Sequence, residues 1–179
     1  MIRIYTLIIS LLSVLSCTGG ESAVFMLRPH EELPSEIASN KSFKTIFLAG
    51  TIDMGNSEDW QMETLRKFSD ISGRFILFNP RQEKWDASRP GEMEYQVNWE
   101  LEHLEMADII IMNILGNSKS PVSLLEMGLH SRSGKMYVIC EPDYYRFENV
   151  RITCKFYGIP LYSSMDEFWQ DKDSWLNLN

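Results

Sequence analysis

The chain has 179 residues, 44% of them hydrophobic and 23% charged, which is enough to bury one sizeable core and too little for two comfortable domains. Its formal charge of −8 and the absence of any Lys/Arg run exclude a nucleic-acid polymer as the main partner, because neutralising phosphates requires clustered cations. A small molecule or another protein is the expected partner.

The chain opens with "MIRIYTLIISLLSVLSC", in which Arg3 precedes an apolar run over 4–15, then Ser16 and Cys17. This run is too short for an ordinary membrane-crossing helix of roughly 20 residues. It has the layout of an export signal, and "VLSC" resembles the lipobox of bacterial lipoproteins, whose cysteine becomes the lipidated first residue. Residues 1–16 are therefore read as a lipoprotein-type signal peptide, with Cys17 as the lipidation site and the bacterial cell envelope as the location. A misassigned start, leaving a cytoplasmic chain, and a plain membrane anchor are the alternatives. Residues 17–43, "TGGES" through the Pro- and Glu-rich "HEELPSEIASNKS", read as tether and lead-in.

The domain proper is expected over 44–179. "KTIFLAG" is a short apolar run closed by glycine, as in a fully buried strand. "NSEDWQMETLRKFSDIS" reads as a helix with an Asn/Ser start, and "RFILFNP" as a second strand stopped by Pro80. A turn-rich loop, "RQEKWDASRPGE", leads to a helix in which Val97, Leu101 and Leu104 recur at helical spacing. "DIIIMNIL" is a third strand, "GNSKS" a turn, and "SPVSLLEMGLHS" a helix. "KMYVICEP", helical "YRFENVRITCKFYG", brief "IPLYS" and helical "SMDEFWQD" complete the chain. Strands that are apolar on both sides and alternate with helices form a parallel sheet covered on both faces. The expectation is a doubly wound, flavodoxin/Rossmann-like sheet of five strands. Cys140 falls in a strand and Cys154 in a helix, so both read as buried free thiols. His30, His103 and His130 are scattered and no CxxC occurs, so neither metal nor cofactor is expected.

Ligands of such sheets bind at the carboxyl ends of the strands, here "AGTIDMG", "FNPR", 113–120 and "CEPDYY". Ser120 and Pro121 make a good N-cap and first-turn pair. Glu126 follows six residues later and shares a helical face with Val122 and Leu129. It lies either on an exposed edge or in a pocket, where the helix dipole favours an ionised nucleophile and Gly128 permits close approach. Arg81 suits a phosphate or carboxylate, or else a surface ion pair. Trp85 suits stacking on a base, or else anchoring its loop. Tyr95 and Asn98 are further candidates from the third helix, and His130 is expected to be exposed.

"IFLAGTIDMGNSEDWQ", "FNPRQEKWD", "VNWELEHLEMADIII", "KSPVSLLEMGLHS" and "GKMYVICEPDYYRFENVRITCKFYGIPL" occur in an order that resembles the nucleoside 2-deoxyribosyltransferase-like family. The resemblance runs from about residue 23 to 165. It implies that Glu126 is the nucleophile that attacks C1′ of the sugar, and that Glu100 holds the sugar or shuttles the proton of the base. It places Gly50, Thr51 and Asp53 in the loop that contacts ligand, with Asn98 and Ser120 nearby. The better-studied branch has an aspartate where this chain has Ser120, which leaves Asp53 as an alternative base-handling acid. The implied partners are a nucleoside or nucleotide and a free nucleobase, with a homo-oligomer whose subunits complete each other's sites. An N-glycoside hydrolase and a non-catalytic nucleotide-binding envelope lipoprotein are the rival readings.

Overall fold

Six apolar runs pair side by side, all in parallel: β1 (Ala23–Leu27), β2 (Lys44–Gly50), β3 (Arg74–Phe78), β4 (Ile109–Ile114), β5 (Met136–Cys140) and β6 (Leu161–Tyr162). A computed structural model describes residues 22–176, so the expected signal segment and Cys17 lie outside the described residues. The helices are α1 (Ser35–Ala38), α2 (Trp60–Ser69), α3 (Glu92–Met106), α4 (Pro121–His130), α5 (Phe147–Tyr157), α6 (Met165–Gln170) and α7 (Lys172–Leu176).

The five expected strands all form. The sixth, β1, comes from the lead-in segment and lies on the edge of the sheet, pairing Ala23 with Arg74 through to Leu27 with Phe78. Its residues are only half-buried, so it lacks the long apolar signature of the central strands. The folded unit therefore begins at β1 rather than at Lys44.

Side chains alternate across the sheet and divide the core in two. Ile110, Met112 and Ile114 of β4 pack on Trp99 and Leu104 of α3, Met127 of α4 and Val150 of α5. Ile109 and Ile111 face the other way, toward Trp60 and Phe68 of α2 and toward Phe168 and Trp175. Fully burying each such side chain contributes about 2 kcal/mol.

The order β1-β3-β2-β4-β5-β6 places the site. From β2 the chain moves outward to β3, whereas from β4 it moves the opposite way to β5. The loops leaving β2 and β4 therefore part to opposite faces and open a crevice between them. Gly50 holds its edge. Its φ is 129°, and a Cβ there would collide with the Asn113 carbonyl across the β2–β4 pair. Thr51 N–H donates to that same carbonyl at 2.8 Å.

Two helices are rotated relative to the sequence expectation. On α4, Val122, Leu125 and Leu129 are 56%, 63% and 58% exposed, while Glu126 points inward. Glu126 thus does not share a face with Val122 and Leu129. On α3, Val97 and Leu101 are exposed, and the buried side carries Trp99 and Leu104 beside the polar Glu92 and Gln96.

Replacing Gly50 with Ala forces a side chain into the Asn113 backbone at a φ that L-residues avoid. The expected cost is about 3 kcal/mol, read as a lower urea midpoint at unchanged slope.

Candidate active site

Thr51 ties the crevice together. Its Oγ1 accepts the Leu115 N–H at 3.1 Å and lies 3.0 Å from Ser118 Oγ and 2.7 Å from Ser120 Oγ. Ser118 Oγ in turn donates to the Leu115 carbonyl at 2.8 Å and lies 2.8 Å from Ser120 Oγ. Ser120 precedes α4 as expected and Pro121 opens it, but the Ser120 side chain caps nothing. Its backbone is left-handed, with φ 42°, a conformation costing about 1 kcal/mol. That geometry directs the hydroxyl to Thr51 and Ser118 instead of the helix amides.

The loop after Thr51 is pinned from two sides. Trp60 Nε1 donates to the Thr51 carbonyl at 2.9 Å. Arg81 donates through Nη1 to the Glu58 carbonyl at 2.9 Å, and through Nη2 to the carbonyls of Gly55 and Ser57 at 2.9 and 2.8 Å. The guanidinium is thus a clamp on backbone 55–58, a role that neither sequence reading of Arg81 contained.

Glu126 points inward from the second turn of α4 and is only 7% exposed. Burial, and then the charge of Glu100, push its carboxyl up to about 8. The dipole of α4 was expected to favour the ionised form. Burial wins, because the dipole fades beyond the first turn while desolvation does not. Burial raises Glu100 too, but the Gln96 side chain opposes it by donating from Nε2 to Glu100 Oε1 at 2.8 Å. Glu126 therefore stays protonated to about pH 8. At neutral pH it holds its proton under the charge of Glu100.

A model of the nucleoside 2-deoxyribosyltransferase-like family matches residues 43–144, more than half of the chain. The chain belongs to that family. Among solved structures, a 2-deoxyribosyltransferase from the psychrotolerant bacterium Bacillus psychrosaccharolyticus is similar at 21% identity and a TM-score of 0.42, covering 54% of this chain and 72% of that one. No curated protein matches.

Within this deoxyribosyltransferase-like chain, Gly50, Thr51 and Ser120 meet at the mouth of the crevice, while Glu126 lies buried on α4 under the charge of Glu100. Asp53 lies exposed in a 3₁₀ turn with a left-handed backbone, and the charge that acts on Glu126 is that of Glu100. Asn98 is exposed on α3, two residues from Gln96 and so off the face that carries Glu92, Gln96 and Glu100. Trp85 is 40% exposed in the loop before α3. Tyr95 stacks on His30 at 4.1 Å, and its hydroxyl accepts the His30 N–H. His130 is buried rather than exposed, and burial lowers its pKa. Cys140 and Cys154 are buried and free, with thiols pushed up to about 12 and about 11, so neither is a nucleophile at neutral pH.

Sequence reasoning passed over Ser118, Gln82, Glu92 and Gln96. For the last two the signal was present, since Glu92, Gln96 and Glu100 recur every fourth residue along α3. A cleft of about 470 Å³, lined in part by Lys41, Lys44, Asp108 and Lys135, lies at the amino ends of the strands, away from this crevice.

An acid whose folded pKa is raised stabilises the fold fully below its unfolded value, near 4.5, and loses that contribution as pH rises through about 8. Glu126→Gln removes the dependence. Its Tm should exceed the parent's by about 5 °C at pH 8, with the gap closing toward pH 4.

Proposed function

We propose that the protein cleaves or exchanges the N-glycosidic bond of a deoxynucleoside through an ester between Glu126 and C1′ of the sugar. The observation that carries this reading is the buried carboxyl of Glu126 on α4, under the charge of half-buried Glu100, on the helix that Ser120 joins to the hydroxyl-lined mouth between β2 and β4. Family membership supports the same chemistry.

Glu126 first gives its proton to Glu100, the carboxylate coupled to it. Its freed oxygen then bonds to C1′ as the C1′–N bond breaks. The bonding electron pair leaves with the base, which takes the proton from Glu100. Positive charge that develops on the sugar ring is stabilised by the adjacent carboxylate, as in retaining glycosidases. A second base or a water molecule then attacks C1′, returns a proton to Glu100 and releases Glu126. The hydroxyls of Thr51 and Ser120 suit the sugar, and Trp85 suits the base.

Two further elements belong to this reading. Cys17 anchors the protein in the bacterial envelope, supported by the lipobox-like "VLSC". The protein also pairs with a second copy through α4, whose exposed side over Val122, Leu125, Gly128 and Leu129 is entirely apolar. Of the flanking helices, α3 exposes Glu94, Glu102 and Glu105, while α5 exposes Lys155 beside an Arg151 that is already held by Glu148 of its own helix. A two-fold axis parallel to α4 sets each α3 against the partner's α5.

Deoxyinosine incubated with adenine should yield deoxyadenosine, and Glu126→Gln should abolish turnover while keeping ligand binding. Hypoxanthine release without any acceptor makes the enzyme a hydrolase, and no turnover with any acceptor makes the protein a binder. Because one proton serves both half-steps, kcat/KM should fall above about pH 8, as the pair loses its last proton. A plateau there means that Glu126 acts without Glu100.

Sedimentation velocity should show a dimer that Leu125→Glu with Leu129→Glu dissociates; a monomeric parent chain excludes the two-fold. Radioactive palmitate should label the chain and not its Cys17→Ala variant.

A further inference from the structure

The stripe of α3 that faces Glu126 continues away from it as an unbroken series of hydrogen bonds. Glu92 is buried at 3% exposure, and its carboxylate accepts from Gln82 Nε2 at 2.7 Å and from Arg89 Nη1 at 3.1 Å, with His30 Nε2 lying 2.8 Å both from Glu92 and from Arg89 Nη1. Gln82 Nε2 also donates to Gln96 Oε1 at 2.7 Å. Gln96 Nε2 then donates both to the Pro80 carbonyl and to Glu100 Oε1, each at 2.8 Å.

The chemistry of the partners allows one direction only. A carboxylate accepts and cannot donate, so Glu92 turns the NH2 end of Gln82 toward itself. Gln82 then offers its second N–H to Gln96, which must present its oxygen. The Pro80 carbonyl, also a pure acceptor, draws the Gln96 NH2 the other way. Both amides are thus fixed without a free choice, and the remaining Gln96 N–H points at Glu100. Were that amide reversed, an oxygen would face the carboxylate and repel it.

We propose that Gln96 is a positioning residue for the carboxyl pair, holding Glu100 as a hydrogen-bond acceptor toward Glu126, and that Gln82, oriented by Glu92, fixes which end of the Gln96 amide Glu100 meets. The inference rests on the proposed roles of Glu126 and Glu100 for its catalytic meaning, but its geometry does not depend on the reaction. It assigns function to a loop residue and a helix residue that contact each other across 14 positions of sequence. Gln82, Glu92 and Gln96 act through Glu100 rather than on substrate. Together they set which of the two acids holds the shared proton.

The test is a site-resolved ¹³C carboxyl titration of the full chain, with the parent compared with Gln96→Met, Gln82→Met and Gln96→Met in an Glu100→Gln background. With the donor gone, the Glu100 midpoint should move to higher pH. Glu126, now facing a neutral neighbour more often, should move to lower pH. Mere loosening of the site exposes both groups and lowers both midpoints, which would overturn the proposal, as would two unchanged midpoints. Gln82→Met should move the midpoints in the same opposed directions by less, and it supplies the decision if Gln96→Met does not fold. In the Glu100→Gln background, Gln96→Met should leave the Glu126 midpoint where it was. In kinetics, kcat should fall about tenfold in Gln96→Met with KM little changed. Opposed midpoint shifts in a protein that turns over no nucleoside would keep the positioning role and remove the enzymatic reading.

Discussion

The backbone contact between Gly50 and Asn113 governs where everything else in the site can stand. Without a side chain at Gly50, β2 closes on β4 to its last residue, and Thr51 bonds the Asn113 carbonyl before turning away. That closure brings the Thr51 hydroxyl within reach of the two serines that follow β4. Ser120 reaches it only by taking a left-handed backbone and giving up the capping of α4. The local penalty at Ser120 is thus offset by hydroxyl bonds across the crevice. A strained residue at a functional edge is where such a trade is expected.

The second constraint is electrostatic. A buried carboxyl near a second, half-buried one carries charge only at high cost, so Glu126 remains neutral. Glu100 has a donor in Gln96, whereas Glu126 is driven upward by burial and by Glu100. The same packing that would make a lone buried glutamate a liability makes the pair a reservoir for a single proton. The proposed reaction, which needs a nucleophile at one instant and an acid at the next, would draw on that proton for both.

Much of the architecture could be read directly from the chain. β2, β3, β4 and β5 are apolar on both sides, and each is closed by a turn-former or a charge, so their place in a buried parallel sheet follows from pattern alone. β1 escaped because an edge strand needs only half-burial, and "AVFML" sits between a polar tether and Pro29. The burial of Glu126 was one of two readings left open by its helix, and it was decided by the rotation of α4, which exposes Val122, Leu125 and Leu129. Local periodicity cannot fix that rotation when both sides of a helix have something to bury. Arg81 misled for a different reason: a lone arginine near strand ends invites an anion, and only three-dimensional closure of 55–58 shows that carbonyls occupy its donors. Gln82 was out of reach because its partners are distant in sequence and amides give no periodic signal.

The two-sidedness of α4 has a mechanical consequence. Each residue along an α-helix turns the chain by about 100°, so a one-residue insertion ahead of Glu126 would carry the acid from its own place to that of buried Met127, and Leu129 to that of buried His130. Smaller rotations, produced by repacking on either side, act in the same sense on both. The greasy outer ridge and the acidic inner tooth are therefore geared to one shaft. Evolution of either surface is felt at the other, and a variant selected for altered assembly should be checked first for a displaced carboxyl oxygen.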